Sequence, residues 1–349
     1  MSTFYKLAIK EITRETSSAI SLTFNIPLEF QDFYKFTAGQ YVTLKLTLDG
    51  EEIRRAYSIC SSPNSGELRI SIKAIKNGFF SKFANEKLTV GNVIEVGVPE
   101  GKFIFEPNNE RQKNYAAFAA GSGITPILSI LKSVLESEPK SSFVLVYGNK
   151  SPEETIFYKQ LHDLQLQHVG RLFVHYAFSN SNKGDFFGRI DKASINNVLF
   201  QKHNEKTFDK FYLCGPEEMI NLVSSELKSH NVKENDIKFE LFSTPTTSEE
   251  KNIKTDGHTQ TTILLDDDET SFEMSQKQTI LEAALKHGLD APYSCQGGIC
   301  SSCIARVTEG KAEMKKNQIL TDGEIEEGLI LTCQAHPVTS TIKVDYDDV

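Results

Sequence analysis

Four of the chain's six cysteines fall in two short stretches: Cys295, Cys300 and Cys303 within Tyr293-Ser294-Cys295-Gln296-Gly297-Gly298-Ile299-Cys300-Ser301-Ser302-Cys303, and Cys333 within Leu331-Thr332-Cys333-Gln334. Their spacing, Cys-x4-Cys-x2-Cys-x29-Cys, is one at which four thiolates hold a 2Fe-2S cluster. Two sulfide-bridged irons need sulfurs converging from one side, so three ligands belong on a tight loop, and Gly297 and Gly298 let such a loop turn without a side-chain clash. Zinc and disulfides are the alternatives. Structural zinc more often takes two short Cys or His pairs, a symmetry that the step from Cys295 to Cys300 breaks.

Four further stretches carry residue types that suit phosphate or planar rings. In Arg55-Ala56-Tyr57-Ser58, a strand would put Arg55 and Tyr57 on one face, setting a cation for phosphate beside an aromatic plate, with the Ser58 hydroxyl as a donor. An ordinary exposed strand would read the same way. In Gly78-Phe79-Phe80-Ser81-Lys82-Phe83-Ala84, a helix begins after a glycine, where free amides suit a pyrophosphate; the plain alternative is a capped helix with its phenylalanines in the core. Gly121-Ser122-Gly123-Ile124-Thr125-Pro126 and Cys214-Gly215-Pro216 each follow an apolar run. The first departs from the Gly-x-Gly-x-x-Gly dinucleotide pattern and has no lysine for a P-loop. A lone Cys214 is more commonly a small buried hydrophobe.

The elements that must position these residues show in the periodicity. Residues 3–103 read as short alternating strands broken by turns, among them Thr43 to Leu48 and Leu68 to Lys73, which predicts an antiparallel β-barrel. From residue 114 the pattern becomes strand, glycine turn, helix, with apolar strands at 115–120, 143–147, 172–176, 211–214 and 237–242. That alternation predicts a doubly wound parallel sheet, whose ligands sit at one edge, where both glycine turns fall. Residues 244–260 are polar and aperiodic and read as a linker. A final α+β lobe follows, with strands at 261–265, 271–275 and 341–346 and a helix marked by Ile280, Leu281, Ala284 and Leu285. The eight histidines are scattered without ligand spacing.

The composition is that of a globular chain, 349 residues with 39% hydrophobic residues, and no run approaches the roughly 18 apolar residues of a membrane span. No basic-then-apolar leader is visible, and the isolated Cys60 and Cys214 suit a reducing compartment, so a cytoplasmic protein with no membrane association is expected. Residues 260–349 hold sixteen Asp and Glu against seven Lys and Arg, which accounts for the whole net charge of −9. Such a lobe suits docking on a basic protein patch or simply solubility, and argues against nucleic acid.

Barrel, nucleotide sheet and cysteine lobe together resemble, over nearly the full length, the ferredoxin-NADP reductase superfamily with a plant-type ferredoxin domain at the C-terminus. Within it, the chain is similar to the reductase subunits of phenylacetyl-CoA epoxidase (monooxygenase) systems. The resemblance implies a multidomain fold: a FAD-binding barrel at 1–108, an NAD(P)-binding domain at 109–243, a linker at 244–259 and a β-grasp 2Fe-2S domain at 260–349. It implies that Arg55, Ala56, Tyr57 and Ser58 bind FAD, with Arg55 at the pyrophosphate, Tyr57 on the isoalloxazine and Ser58 near flavin N5. Ile72, Lys73, Gly78, Phe80 and Ser81 would supply further flavin contacts. Gly121, Gly123, Thr125, Pro126, Cys214, Gly215 and Pro216 would meet the nicotinamide nucleotide, with Thr125 near the ring and Cys214 and Glu240 shaping the pocket. Cys295, Cys300, Cys303 and Cys333 would hold the cluster. Ser179 and Arg189 would lie at the nucleotide's ribose; Asn180 stands where NADPH-using relatives often carry Arg, so Arg189 or Lys183 would have to supply that cation. NADPH or NADH is thus the expected donor, with NADPH favoured. An oxygenase component is the expected acceptor, the oligomeric state being open. The rival expectations are a stand-alone reductase for another oxygenase, a desaturase or a haem protein, and a non-catalytic iron-sulfur carrier or sensor.

Overall fold

The computed structural model describes residues 3–48, 50–76, 78–242 and 257–349. Strands β1 (Phe4–Thr16), β2 (Ala19–Asn25), β3 (Tyr41–Leu48), β4 (Glu51–Ser58), β5 (Leu68–Lys73) and β6 (Val93–Gly97) form one sheet in the order β4-β3-β6-β1-β2-β5. A bridge between Ile59, just past β4, and Ile70 of β5 closes this sheet on itself. Period-two burial explains it: Leu68, Ile70 and Ile72 are fully buried on one face of β5, as expected of strands lining a packed barrel. Helix α1 (Phe79–Lys87) covers β5 and buries Phe80, Ser81 and Ala84.

Next come β7 (Asn114–Ala120), α2 (Ile124–Ser137), β8 (Ser142–Asn149), α3 (Tyr158–Gln167), β9 (Leu172–Phe178), β10 (Phe186–Phe187), α4 (Lys192–Asn196), β11 (Lys210–Cys214), α5 (Glu217–Ser229) and β12 (Ile237–Glu240). The six strands are parallel, in the order β10-β9-β8-β7-β11-β12. Strand order reverses between β7 and β11, the switch point at which open parallel sheets leave a crevice for ligands. A π-helical turn, Asn197–Lys202, continues α4. Barrel and parallel sheet form one compact unit and share a core, in which Cys60, Phe103 and Phe105 pack with Tyr115, Ile127, Leu131 and Tyr212.

The C-terminal lobe is a separate unit. Strands β13 (His258–Leu265), β14 (Asp268–Ser275), β15 (Ile304–Glu309), β17 (Leu329–Leu331) and β19 (Thr341–Asp345) form a mixed sheet, β14-β13-β19-β15-β17. Helix α6 (Ile280–Lys286) packs into its core behind a capping box in which Thr279 and Glu282 satisfy each other's amides. The short strands β16 (Ala312–Met314) and β18 (Ala335–Pro337) pair, and α7 (Asp322–Glu326) precedes β17. Strand β13 begins at His258, inside the segment expected as linker, because Thr259 and Gln260 continue its ladder with β14 and β19. The linker residues before 257 lie outside the described ones. Among the described residues no helix is long and apolar enough to cross a membrane.

Candidate functional site

The four spaced cysteines belong to one lobe, and none of the six cysteines is in a disulfide. They come together two by two. The thiols of Cys295 and Cys300 share a hydrogen bond, as do those of Cys303 and Cys333. Thr332, beside Cys333, donates from both its amide and its hydroxyl to the Cys303 carbonyl at 3.0 Å, which locks the second pair. Gly298 takes φ +74°, and a side chain there would lie 2.9 Å from the Lys316 carbonyl, so this turn requires glycine. Gly297 does not take a positive φ. Gln296 does, at +51°, and Gly297 instead points its amide at the Cys295 sulfur, 3.3 Å away. Gln334 reaches back to the Gln296 carbonyl at 3.0 Å, a tie that only its place next to Cys333 could have suggested.

Cys300, Cys303 and Cys333 are buried and Cys295 is half-buried. In each pair the hydrogen bond lowers one thiol and raises the other. The Cys300 hydrogen bond, with amides of Gly297, Ile299 and Cys300, brings Cys295 down to about 6, outweighing its burial. Cys333 is likewise lowered by Cys303, while Cys300 and Cys303 are raised. Paired sulfurs met by backbone amides fit a binuclear iron-sulfur centre, in which each iron takes two thiolates and the amides offset negative charge.

Strand β4 carries the Arg55 to Ser58 motif, of which Tyr57 and Ser58 belong to the unit of barrel and parallel sheet, while Arg55 and Ala56 group with the C-terminal unit. Arg55 is exposed, Tyr57 half-buried and Ser58 buried. The Tyr57 ring lies 5.7 Å from that of Phe80, tilted by 35°. The Ser58 hydroxyl donates to Glu240 Oε2 at 3.3 Å, joining the barrel to the last strand of the parallel sheet. In the ladder, Glu240 pairs with Cys214 and Cys214 with Ala119, so Ser58, Cys214 and Glu240 meet at the switch-point edge. Burial pushes the Cys214 thiol well up, helped by the Glu240 charge. Glu240 as a residue keeps some exposure, but protein atoms crowd its carboxyl and push it up to about 8 against the opposing Ser58 hydrogen bond.

The two glycine turns of this edge touch. A side chain at Gly123 would fall 2.0 Å from the Cys214 carbonyl, and one at Gly215 would fall 2.8 Å from Met219 and 3.2 Å from Ala120. Gly121 takes φ +55° and its carbonyl accepts from the Tyr147 hydroxyl at 2.9 Å. Tyr147 is thus a tether that the apolar run of β8 concealed. Thr125 is buried in the first turn of α2 and donates to the Ser122 carbonyl at 3.0 Å; Pro126 follows it, also buried. No side chain caps α1, α2 or α5, whose N-terminal positions are Gly78, Gly123 and Pro216; at α2 the Ile124 amide is already taken by the Gly121 and Ser122 carbonyls of the preceding turn and Pro126 has no amide proton, so the starts of α1 and α5 are the ones with amides left for other acceptors. Glu217 and Glu218 already set negative charge on α5, which leaves α1 as the better anion site.

The remaining expected contacts are spread out. The Ile72 side chain is fully buried in the barrel core, and its backbone pairs with Ile20 of β2 and accepts from the Asn85 side-chain amide at 3.1 Å. Lys73 is half-buried, within 3.9 Å of a side chain built at Gly121, and burial lowers its ammonium. Ser81 donates to the Gly78 carbonyl and accepts from the Ile75 amide, so it braces the start of α1 from inside the first turn. Ser179 follows β9, with its amide on the Asn149 carbonyl. Arg189 and Lys183 are exposed, the first 3.5 Å from Glu218 and the second 3.9 Å from Glu153.

Three family models match consecutive segments: an oxidoreductase FAD-binding domain at residues 6–105, an oxidoreductase NAD-binding domain at 118–225 and a 2Fe-2S iron-sulfur cluster binding domain at 263–338. The chain is 38% identical over 351 residues to a subunit of the 1,2-phenylacetyl-CoA epoxidase of Escherichia coli (strain K12), covering 99% of each. It is 29% identical to the ferredoxin reductase component of 3-ketosteroid-9-alpha-monooxygenase of Rhodococcus rhodochrous, covering 97% of this chain and 96% of that one. Among solved structures, phthalate dioxygenase reductase superposes with a TM-score of 0.61 at 24% identity, covering 98% of both chains.

Proposed function

Since the chain belongs to the ferredoxin-NADP reductase superfamily, in its branch with a C-terminal 2Fe-2S domain, we propose that it passes electrons from NAD(P)H through FAD and the cluster to an oxygenase component, the phenylacetyl-CoA epoxidase of phenylacetate degradation. The observation that most supports it is the meeting of Ser58, Cys214 and Glu240 at the switch-point edge. There the barrel strand with the flavin-type motif adjoins the glycine turns suited to a dinucleotide. When bound, FAD can take two electrons as hydride from the nicotinamide, and a 2Fe-2S cluster passes electrons one at a time.

The chain's own residues position and insulate. Tyr57, backed by Phe80, offers a face for the flavin ring; Lys73 and the uncapped start of α1 offer positive charge to its pyrophosphate, the role the family motif gives to Arg55. Ala56, Ile72, Gly78 and Ser81 shape that path. Gly121, Gly123, Thr125 and Pro126 admit the nicotinamide nucleotide to the start of α2, opposite Cys214, Gly215 and Pro216, and Ser179 and Arg189 lie toward its far end. At neutral pH the Glu240 carboxyl holds its proton, so Ser58 and Glu240 present a neutral pair that does not repel electron-rich rings. Cys295, Cys300, Cys303 and Cys333 hold the irons. The domain boundaries at 108, 243 and 259 and a cytoplasmic location accompany this proposal.

Anaerobically purified protein tests it. Equal iron and labile sulfide, flavin absorbance, and bleaching of both chromophores by NADH or NADPH are expected, with turnover of phenylacetyl-CoA when the oxygenase subunits are added. A colourless zinc protein would overturn the electron-transfer reading. Bleaching without phenylacetyl-CoA turnover would overturn the choice of partner alone.

A further inference from the structure

The histidines that lack ligand spacing in the sequence include one pair that the fold brings together. His175 of β9 and His203, which caps the π-helical turn, place their Nε2 atoms 2.9 Å apart. Their ring centroids are 5.2 Å apart, only about two ring radii more than the nitrogen separation. The nitrogens therefore lie close to the line joining the rings and face one another head-on. Lone pairs converging on a metal would instead meet at an angle away from that line, so this is the geometry of an N–H···N hydrogen bond. The proton positions follow from the neighbours. Asp185 Oδ1 lies 3.3 Å from His175 Nδ1, which makes that nitrogen the donor and leaves His175 Nε2 to accept from His203.

Asp185 is the hub. Its other oxygen accepts the Tyr176 amide at 2.9 Å, and Lys202, the last residue of the π-helical turn, donates to Oδ1 at 3.1 Å. These bonds hold the carboxylate well below its usual range, against a burial that alone would raise it. Gly184 permits the approach, because a side chain there would fall 2.7 Å from the Tyr176 carbonyl. The Tyr176 amide lies just before the rungs with β10, which begin at Ala177, so a side chain occupies the place of a neighbouring strand. The segment that Asp185 fastens leaves β9 at Ser179, runs past Asn180 and Lys183, and returns to Gly188 and Arg189. A π-helical turn is rare in itself and recurs at functional sites; here it ends in Lys202 and is capped by His203.

We propose that His175, Asp185 and His203 are positioning residues for the nicotinamide nucleotide, a clasp that fixes the 179–189 segment and with it the residues that meet the nucleotide's ribose end. This rests on the assignment of Ser179 and Arg189 to the nucleotide under the proposed function. None of the three touches the reacting atoms, so the clasp governs affinity and the choice between NADH and NADPH, leaving the rate at saturation alone.

Two substitutions at one position test it in the full-length protein. In His203→Gln the side-chain amide can still donate to His175 Nε2; in His203→Leu it cannot. Hydrogen exchange over residues 172–189 and dye reduction by NADH and by NADPH are measured for both. The expected result for His203→Leu is exchange of the Tyr176 amide at least tenfold faster and a KM at least fivefold higher for the preferred nucleotide. Its kcat, flavin content and iron content should stay within twofold of the parent, and His203→Gln should restore both exchange and KM. Unchanged exchange in His203→Leu overturns the clasp, and faster exchange with unchanged KM overturns its link to the nucleotide. If neither nucleotide reduces the unsubstituted protein, the proposed function fails, the link to the nucleotide falls with it, and exchange alone decides the clasp.

Discussion

Burial shapes the chemistry of Glu240 before any ligand arrives. Its carboxyl moves from an ordinary 4.5 up to about 8, so the folded chain keeps a proton that the unfolded chain has released over that interval. Stability from this group is fully present below pH 4.5 and is lost as pH rises through 8. Glu240→Gln removes the titration. Relative to it, the parent should lose about 1–3 kcal/mol between pH 5 and pH 8, less than full linkage because the side chain keeps some exposure. Urea midpoints of both proteins across that range check this, and parallel pH profiles would contradict it. Tyr57 makes a second residue-scale test. Truncating it to Ala removes the half-buried ring beside Phe80 and should release flavin into the filtrate while the cluster's visible spectrum persists, because the four cysteines belong to a separate unit. Loss of both chromophores together would argue that the two units do not hold their cofactors independently.

At the scale of elements, the nucleotide edge depends on two turns whose backbones nearly touch. The atoms nearest a side chain at Gly123 are the carbonyl oxygen and carbon of Cys214 and the amide of Gly215, all main-chain atoms of a central strand and its turn, which cannot rotate aside. Gly123→Ala should therefore part β7 from β11 locally, destabilise the protein by about 2 kcal/mol or more, and raise the KM for NAD(P)H. Gly323→Ala is the control. Nothing lies within 4 Å of that position, and its effect should stay within about 0.5 kcal/mol. Equal midpoints for the two variants would mean that the close approach of the turns is not a constraint. The same scale explains why Gly-x-Gly-x-x-Pro serves without a third glycine. The close packing between helix start and strand is met by Gly123 and Gly215, and Pro126 occupies the first turn of α2, where it forfeits no intrahelical hydrogen bond.

For the whole molecule, the uneven charge sets the expectation. All of the net −9 resides in residues 260–349, so encounter with a basic oxygenase surface should be steered by charge and screened by salt. Raising ionic strength from about 0.05 to 0.5 M should slow reduction of the oxygenase several-fold and leave dye reduction by NAD(P)H nearly unchanged; partner kinetics indifferent to salt would remove the steering. Barrel, parallel sheet and cysteine lobe were each legible in the chain, because period-two burial, apolar strands followed by glycine turns, and cysteine spacing are all imprints of local geometry. The cluster loop was the plainest, since a few residues must wrap one centre whatever the rest of the chain does. Proximity between distant segments leaves no such imprint. Ser58 and Glu240 are 182 residues apart, and His175 and His203 are 28 apart on different elements. The spacing of the cysteines picked out four candidate ligands but not their pairing, and of Gly297 and Gly298, both expected at the turn, only Gly298 takes a positive φ, with Gln296 in place of Gly297. Charge states were hidden for the same reason: desolvation depends on which atoms crowd a group, and only the folded chain decides that the Glu240 carboxyl keeps its proton at neutral pH.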